Sequence, residues 1–129
     1  MGRLQPTFLP RVEAFSNAMV DVAEHLIRER RFSRIADQIA AAGSSVGANS
    51  FEADEAMSRA DFVKTLCIVI KELNECRFWL RLCQTRKWLD LDQSHQLLAE
   101  AAELKSICGA IVSRTRKNGL KPRPRTEVP

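Results

Sequence analysis

The chain has 129 residues, with 20 lysines and arginines against 16 aspartates and glutamates, so its formal net charge is +4. This length is typical of one domain and is short for two. A hydrophobic fraction of 45% excludes a wholly disordered chain. No proline occurs between Pro10 and Pro122. Because all-β folds need turn residues about every 8–12 positions, we expect an all-α protein.

The first predicted helix begins between Thr7 and Arg11 and ends at Arg28. Its apolar residues recur at alternating spacings of three and four, which is typical of one buried helix face: Val12, Phe15, Met19, Val22 and Leu26.

The turn that follows is rich in arginine, with Glu29 as its acidic residue. We predict nucleic-acid contacts from four cations, with a merely solvated turn as the alternative: Arg28, Arg30, Arg31 and Arg34.

The second helix is predicted over residues 33–57, with Ser33 as its N-cap. Its middle consists mostly of alanine, glycine and serine. Gly43 and Gly47 lower helix propensity, so we expect them to allow the close approach of a neighbouring helix. A polar network between the second and third helices is also predicted, with a ligand-binding role as the alternative: Ser45, Asn49, Glu52, Glu72 and Arg77.

The third helix is predicted to start at a capping box formed by Ser58 and Asp61 and to end near Arg86. It carries the most regular apolar stripe of the chain: Phe62, Leu66, Val69, Leu73, Cys76, Leu80 and Cys83. A second stripe lies beside the first: Val63, Cys67 and Ile70. Two adjoining stripes indicate a helix that contacts more than one neighbour.

The fourth helix is predicted to begin near Asp90 or Asp92 and to end around Arg116, with Gly119 as a possible stop. Its apolar stripe is Leu97, Ala101, Leu104, Cys108 and Ile111. Short connections make successive helices antiparallel neighbours. We therefore predict an antiparallel up-down-up-down four-helix bundle over residues 1–116.

Residues 117–129 are predicted to form a basic, proline-containing, flexible tail. Residues 113–129 hold six basic side chains and one acidic one, a formal charge of +5, so residues 1–112 carry −1. The tail region supplies the second set of predicted nucleic-acid contacts: Arg114, Arg116, Lys117, Lys121, Arg123 and Arg125. A tail that only aids solubility is the alternative.

Catalysis and metal binding are poorly supported by the sequence. His25 and His95 are 70 positions apart, and the four cysteines form no C-x-x-C pair. We expect no enzyme activity, no metal and no cofactor, and four reduced cysteines that pack as small hydrophobic side chains. The longest stretch without charged side chains, residues 38–51, is too short and polar to span a membrane, so we expect a cytoplasmic protein.

The middle of the chain carries a series of short motifs: Gly43-Ser44-Ser45-Val46-Gly47-Ala48-Asn49, Glu52-Ala53, Asp61-Phe62, Lys71-Glu72 and Arg77-Phe78-Trp79-Leu80. Together they resemble the signature of small bacterial four-helix-bundle proteins encoded in intervening sequences of 23S ribosomal RNA genes. Relatives of that family include the accessory variability determinants of diversity-generating retroelements, which residues 78–82 and 113–119 particularly resemble.

The resemblance implies a homopentameric ring of bundles around a central channel. It also implies a non-enzymatic accessory protein that binds RNA or DNA and assists a reverse transcriptase. The first alternative is a protein–protein interaction module of the intervening-sequence type, without affinity for nucleic acid. The second is an enzyme with a site around Asn49, Glu52 and Glu72.

Overall fold

Four α-helices make up most of residues 2–119, the part of the chain that our computed structural model describes, and no strand occurs within those residues. They are α1 (Phe8–Arg28), α2 (Ser33–Asp54), α3 (Arg59–Thr85) and α4 (Leu91–Gly119). The predicted all-α four-helix bundle is confirmed. The helix ends differ from the prediction by a few residues, which reflects local capping. The predicted N-cap of α2 is wrong, because Ser33 is the first helical residue and Phe32 takes the N-cap position.

The end of α2 is determined by the N-terminal segment of the chain. The backbone N–H of Arg3 donates to the carbonyl oxygen of Asp54 at 3.0 Å, and that of Leu4 donates to Asp54 Oδ1 at 2.8 Å. The first bond satisfies a backbone carbonyl group of the kind that a helix end leaves without a partner, and the second holds the Asp54 carboxylate against the N-terminal segment. The helix therefore stops at Asp54, three residues before the predicted end at Met57. At the start of α3, the Ser58 hydroxyl accepts from the N–H of Asp61 at 3.0 Å, as predicted.

The core is built from one face of each helix. All the stripe residues predicted for α1 and for the first stripe of α3 are buried. In α4 the stripe differs near its ends, because Val112 is buried while Leu97 and Ile111 are half-buried. A straight helix repeats every 3.6 residues, so a stripe extrapolated with spacings of three and four drifts off the buried face.

Helices α1 and α2 approach closely at the two glycines of α2, as predicted. The Ser16 hydroxyl donates to the carbonyl oxygen of Gly43 at 2.6 Å and accepts from the N–H of Gly47 at 3.0 Å. A Cβ atom on Gly47 would lie 2.7 Å from Ser16 Oγ, and one on Gly43 would overlap Cβ of Met19. At Gly43 only glycine permits this spacing without a shift of α1, whereas at Gly47 a Cβ atom would displace the Ser16 hydroxyl.

An ion-pair cluster joins α1 to α4. Arg11 Nη2 lies 2.6 Å from Glu100 Oε1 and 2.9 Å from Glu103 Oε1, and Arg11 Nε donates to Glu100 Oε2 at 2.8 Å. These are the ion pairs found within residues 2–119. The hydrogen bond from Arg11 lowers the pKa of Glu100. In turn, the hydrogen bonds to Glu100 and Glu103 raise the pKa of the Arg11 guanidinium. Around the bundle, α1 also packs on α2, and α3 packs on both α2 and α4.

The last helix runs to Gly119, slightly beyond the predicted end at Arg116. The predicted division into a bundle over residues 1–116 and a tail over 117–129 stays a prediction, because residues 120–129 lie outside the described part of the chain. None of the helices in the described part is both long and apolar enough to cross a membrane.

Substituting Gly43→Ala should lower the free energy of unfolding by about 1–2 kcal/mol, since the clash with Met19 outweighs the gain in helix propensity. Gly109→Ala is the matched control, because a Cβ there would meet nothing within 4 Å. The control should raise stability by up to about 1 kcal/mol. Urea unfolding of both variants measures the difference, and equal effects of the two substitutions would contradict the close approach of α1 and α2.

The Arg11–Glu100 pair predicts a pH-dependent effect. The pKa of Glu100 is lowered in the folded protein, so its stabilising effect is present above the ordinary carboxyl pKa and is lost as pH falls through the folded value. Glu100→Gln should therefore lower stability by about 1 kcal/mol near neutral pH and by progressively less in acid. Urea unfolding at several pH values tests this, with the exposed Glu24→Gln as control. A Glu100→Gln effect independent of pH would contradict it.

Candidate nucleic-acid interface

The turn between α1 and α2 has a cation in a backbone conformation that favours glycine. The N–H of Arg30 donates to the carbonyl oxygen of Ile27 at 3.0 Å, and the N–H of Arg31 donates to that of Leu26 at 2.9 Å. These two bonds form a Schellman motif, and Arg30 occupies its left-handed position with φ of 57°. A side chain in this conformation is strained by about 1 kcal/mol relative to glycine.

The turn between α3 and α4 repeats this arrangement. The N–H of Lys87 donates to the carbonyl oxygen of Gln84 at 3.1 Å, and the N–H of Trp88 donates to that of Cys83 at 2.9 Å. Lys87 takes the left-handed position with φ of 59°. Within residues 2–119, the non-glycine residues with positive φ are therefore Arg30 and Lys87, one in each turn.

The two turns meet at Trp88. The guanidinium of Arg31 lies 5.7 Å from the centroid of the Trp88 ring, and that of Arg86 lies 5.4 Å from it. His25 Nε2 is 3.2 Å from the carbonyl oxygen of Trp88, which adds a polar contact from α1. The indole is only 9% exposed. Cation–π contacts of this kind hold both guanidinium groups against one surface.

The convergence of these turns produces what we call the basic end, defined by six exposed cations: Arg28, Arg30, Arg31, Arg34, Arg86 and Lys87. Two acidic residues, Glu29 and Asp90, belong to the same turns. In the described part of the chain no carboxylate lies within ion-pair distance of any of the six, since the ion pairs there all involve Arg11. The sequence identified the first four cations as candidate contacts, but not Arg86 or Lys87.

A second feature extends from the basic end along α3. A cleft of about 650 Å³ follows this helix and includes Arg86 at one end. We define the α3 face by four residues of this cleft: Arg77, Phe78, Arg81 and Leu82. Phe78 is 57% exposed and makes an edge-to-face contact with Trp79 at a centroid distance of 5.1 Å. The α3 face thus combines exposed apolar surface with guanidinium groups.

The cations of the tail region lie at the other end of α4. Arg114, Arg116 and Lys117 are exposed on its last turns, and Arg116 Nη2 is 3.8 Å from Cys67 Sγ. From Leu91 to Arg116 the helix extends about 38 Å at 1.5 Å per residue. The predicted nucleic-acid contacts therefore form two separate groups. The remaining predicted contacts, Lys121, Arg123 and Arg125, lie outside the described residues.

The members of the predicted polar network, all within residues 2–119, lie on α2 and α3, and their hydrogen bonds do not connect the two helices. Asn49 Nδ2 donates to the carbonyl oxygen of Ser45 at 2.9 Å, a bond within α2. Arg77 Nη1 donates to Asn74 Oδ1 at 3.4 Å, a bond within α3. Glu52 is exposed. Burial, and then the charge of neighbouring Glu75, raise the pKa of Glu72. Among the described residues, no hydrogen bond joins members of this set across α2 and α3.

Three of the four cysteines are deeply buried, and Cys67 is half-buried. Burial raises the pKa of Cys76 and Cys108 to about 12 and that of Cys83 to about 11. Thiolates are the reactive form of cysteine, so these three side chains are chemically inert near neutral pH. They pack in the core as small hydrophobic groups, as predicted.

Comparison with known proteins identifies the relatives of this fold. The family model described as 23S rRNA-intervening sequence protein matches residues 10–110. A solved structure, that of a protein of unknown function from the S23 ribosomal protein family of Bacteroides thetaiotaomicron VPI-5482, is 30% identical to this chain. The match covers 81% of this chain and 97% of that one, with a TM-score of 0.78. No curated protein matches the sequence.

Proposed function

The chain belongs to the family of 23S rRNA-intervening sequence proteins, and on this premise we propose that it is a non-enzymatic, self-assembling accessory protein that binds nucleic acid through the basic end. The ligand in this proposal is the phosphate backbone of RNA or DNA. The observation that carries it is the convergence of two turns, which gathers six exposed cations without paired carboxylates.

The distribution of charge supports a local binding surface. Residues 1–112 carry a formal charge of only −1, so the body as a whole has little attraction for a polyanion. The basic end nevertheless concentrates positive potential in one place, and binding to a phosphate backbone depends on such local clusters. The contacts of Arg31 and Arg86 with Trp88 also reduce the rotamer freedom that these side chains lose on binding.

Assembly would strengthen weak phosphate contacts. We propose an antiparallel up-down-up-down bundle that forms a homopentameric ring, as the sequence resemblance implies. Several copies of one basic surface bind a long polyanion with much greater avidity than a single copy. A reverse transcriptase as protein partner rests on the sequence resemblance alone, and a cytoplasmic site of action rests on the lack of a membrane-spanning stretch in the sequence.

The proposal predicts that the affinity for nucleic acid depends on the basic end. The triple variant Arg30→Ala, Arg31→Ala, Arg86→Ala should bind RNA and DNA at least tenfold more weakly, and the slope of log affinity against log salt should fall by about 2–3. The matched control removes three exposed cations from the first half of α3, Arg59→Ala, Lys64→Ala and Lys71→Ala. Fluorescence anisotropy with labelled oligonucleotides at about 50–200 mM salt measures both quantities.

Equal losses in the two triple variants would refute the assignment to the basic end, because Arg59 and Lys64 line a cleft with Arg116 of the tail region. Deleting residues 114–129 tests the other group of predicted contacts. If that deletion alone abolished binding while the basic-end variant kept full affinity, the tail region would be the interface. Absence of binding by the intact chain at every salt concentration would refute nucleic-acid binding altogether.

The second candidate function is that of a protein-interaction module, and the α3 face favours it. Phe78 is one of the more exposed large apolar side chains within residues 2–119, and the half-buried Leu82 lies in the same cleft. Exposed aromatic side chains flanked by arginine are typical of the energetically important part of a protein–protein interface. A second copy of the chain is the partner that the proposed ring requires.

If the α3 face is the contact between copies, self-assembly should depend on Phe78. The intact protein should have a mass of about five times the 14.6 kDa of one chain by light scattering. Phe78→Ser should shift the mass toward that of the monomer, because it removes apolar contact area from the interface. Met57→Ser is the control, since Met57 is 92% exposed in the turn before α3. A monomeric wild-type protein would contradict assembly, and an unchanged mass for Phe78→Ser would exclude the α3 face as the contact.

A further inference from the structure

A small cleft opens between the two turns of the basic end. It has a volume of about 270 Å³ and is lined by Arg30, Arg31, Phe32, Arg86 and Trp88. Small-molecule pockets usually measure about 300–1,000 Å³, so this cleft is too small to enclose a whole nucleotide. Three guanidinium groups around a cleft of this size suit one phosphate group, which arginine binds through two parallel hydrogen bonds.

The Phe32 side chain has no evident structural role. It is 66% exposed, and it occupies the N-cap position of α2 without any side-chain capping hydrogen bond. Serine, threonine, asparagine and aspartate are the residues that stabilise this position. An aromatic side chain there adds neither a cap nor core contacts. Departures from local sequence preference of this kind are typical of functional sites.

The neighbouring backbone shows the same departure. Arg30 and Lys87 occupy left-handed positions that glycine would fill with less strain. Arg30 lines the cleft directly, and Lys87 lies between the cleft residues Arg86 and Trp88. Strained backbone positions cluster at ligand sites, so the strain at Arg30 supports a functional role for the cleft that it lines.

From these observations we infer that this site binds one unpaired nucleotide of a single strand, with only its phosphate in the cleft on the three arginines and its base outside, stacked on Phe32. This inference rests on the proposed nucleic-acid function and names the form of nucleic acid that the basic end prefers. Trp88 is a positioning residue in this arrangement, because its ring holds Arg31 and Arg86 beside the cleft.

The preference for a single strand follows from the geometry of stacking. In a duplex the bases are stacked on one another, and mainly phosphates are available to a shallow surface. An unpaired base has a free face that can stack on an exposed aromatic ring whatever its sequence. Phosphate contacts alone would bind single strands and duplexes through charge, whereas contact with Phe32 favours unpaired bases.

The experiment compares three probes of about 15 nucleotides: oligo(dT), an abasic strand with the same phosphates, and a blunt DNA duplex. The full-length protein carries Phe32→Leu, which keeps an apolar side chain but removes the aromatic ring, or Phe32→Trp, which retains a ring. Phe51→Leu is the control, because Phe51 is also exposed on α2, at 44%. Thermal unfolding checks that each variant is folded.

We expect Phe32→Leu to weaken binding of oligo(dT) about tenfold and to leave binding of the abasic strand and the duplex unchanged. Phe32→Trp should restore the affinity for oligo(dT), and Phe51→Leu should match the wild type. Unchanged affinity of Phe32→Leu for oligo(dT), or an equal loss for the abasic strand, would overturn the inference. If the intact protein bound the abasic strand and the duplex but Phe32→Leu had no effect, the proposed function would stand without this inference. If the intact protein bound none of the probes, both would fail.

Discussion

The contact between Trp88 and the two arginines is the interaction on which the candidate site depends. Arg31 belongs to the turn after α1 and Arg86 to the end of α3, and both guanidinium groups lie against one indole ring. Because this contact joins two turns that are far apart in sequence, it converts two short basic segments into one surface. The nearly neutral body then carries a concentrated positive charge at a single place.

The packing of the helices makes that surface possible. The close approach of α1 and α2 depends on Gly43 and Gly47, where the Ser16 hydroxyl bridges the helix backbone. Alanine at Gly43 would raise the helix propensity of α2 but would clash with Met19 of α1. The Arg11 cluster joins α1 to α4 on another side. Neither of these helix contacts lies at the basic end, so the stability of the bundle and the proposed nucleic-acid binding can be altered by different substitutions.

The sequence predicted the fold well because the buried faces of α1 and α3 follow a regular helical period, and Ser58 is a strong N-cap. It predicted only part of the candidate site. Sequence spacing relates residues within one helix, whereas Trp88 and Arg31 meet through tertiary packing. The arginine-rich turn after α1 was therefore visible, while the contribution of Arg86 and Lys87 was not. Once a four-helix bundle is predicted, comparing the first and third turns would have provided that signal.

Photo-crosslinking would show whether nucleic acid binds at the basic end, because it identifies the residues in contact with a bound strand. The intact protein would be irradiated with a bound single-stranded oligonucleotide and digested, and the linked peptides identified by mass spectrometry. We expect links at the basic end, at Phe32 and its neighbours in the two turns. Links confined to residues 114–129, or to any surface away from these turns, would contradict it.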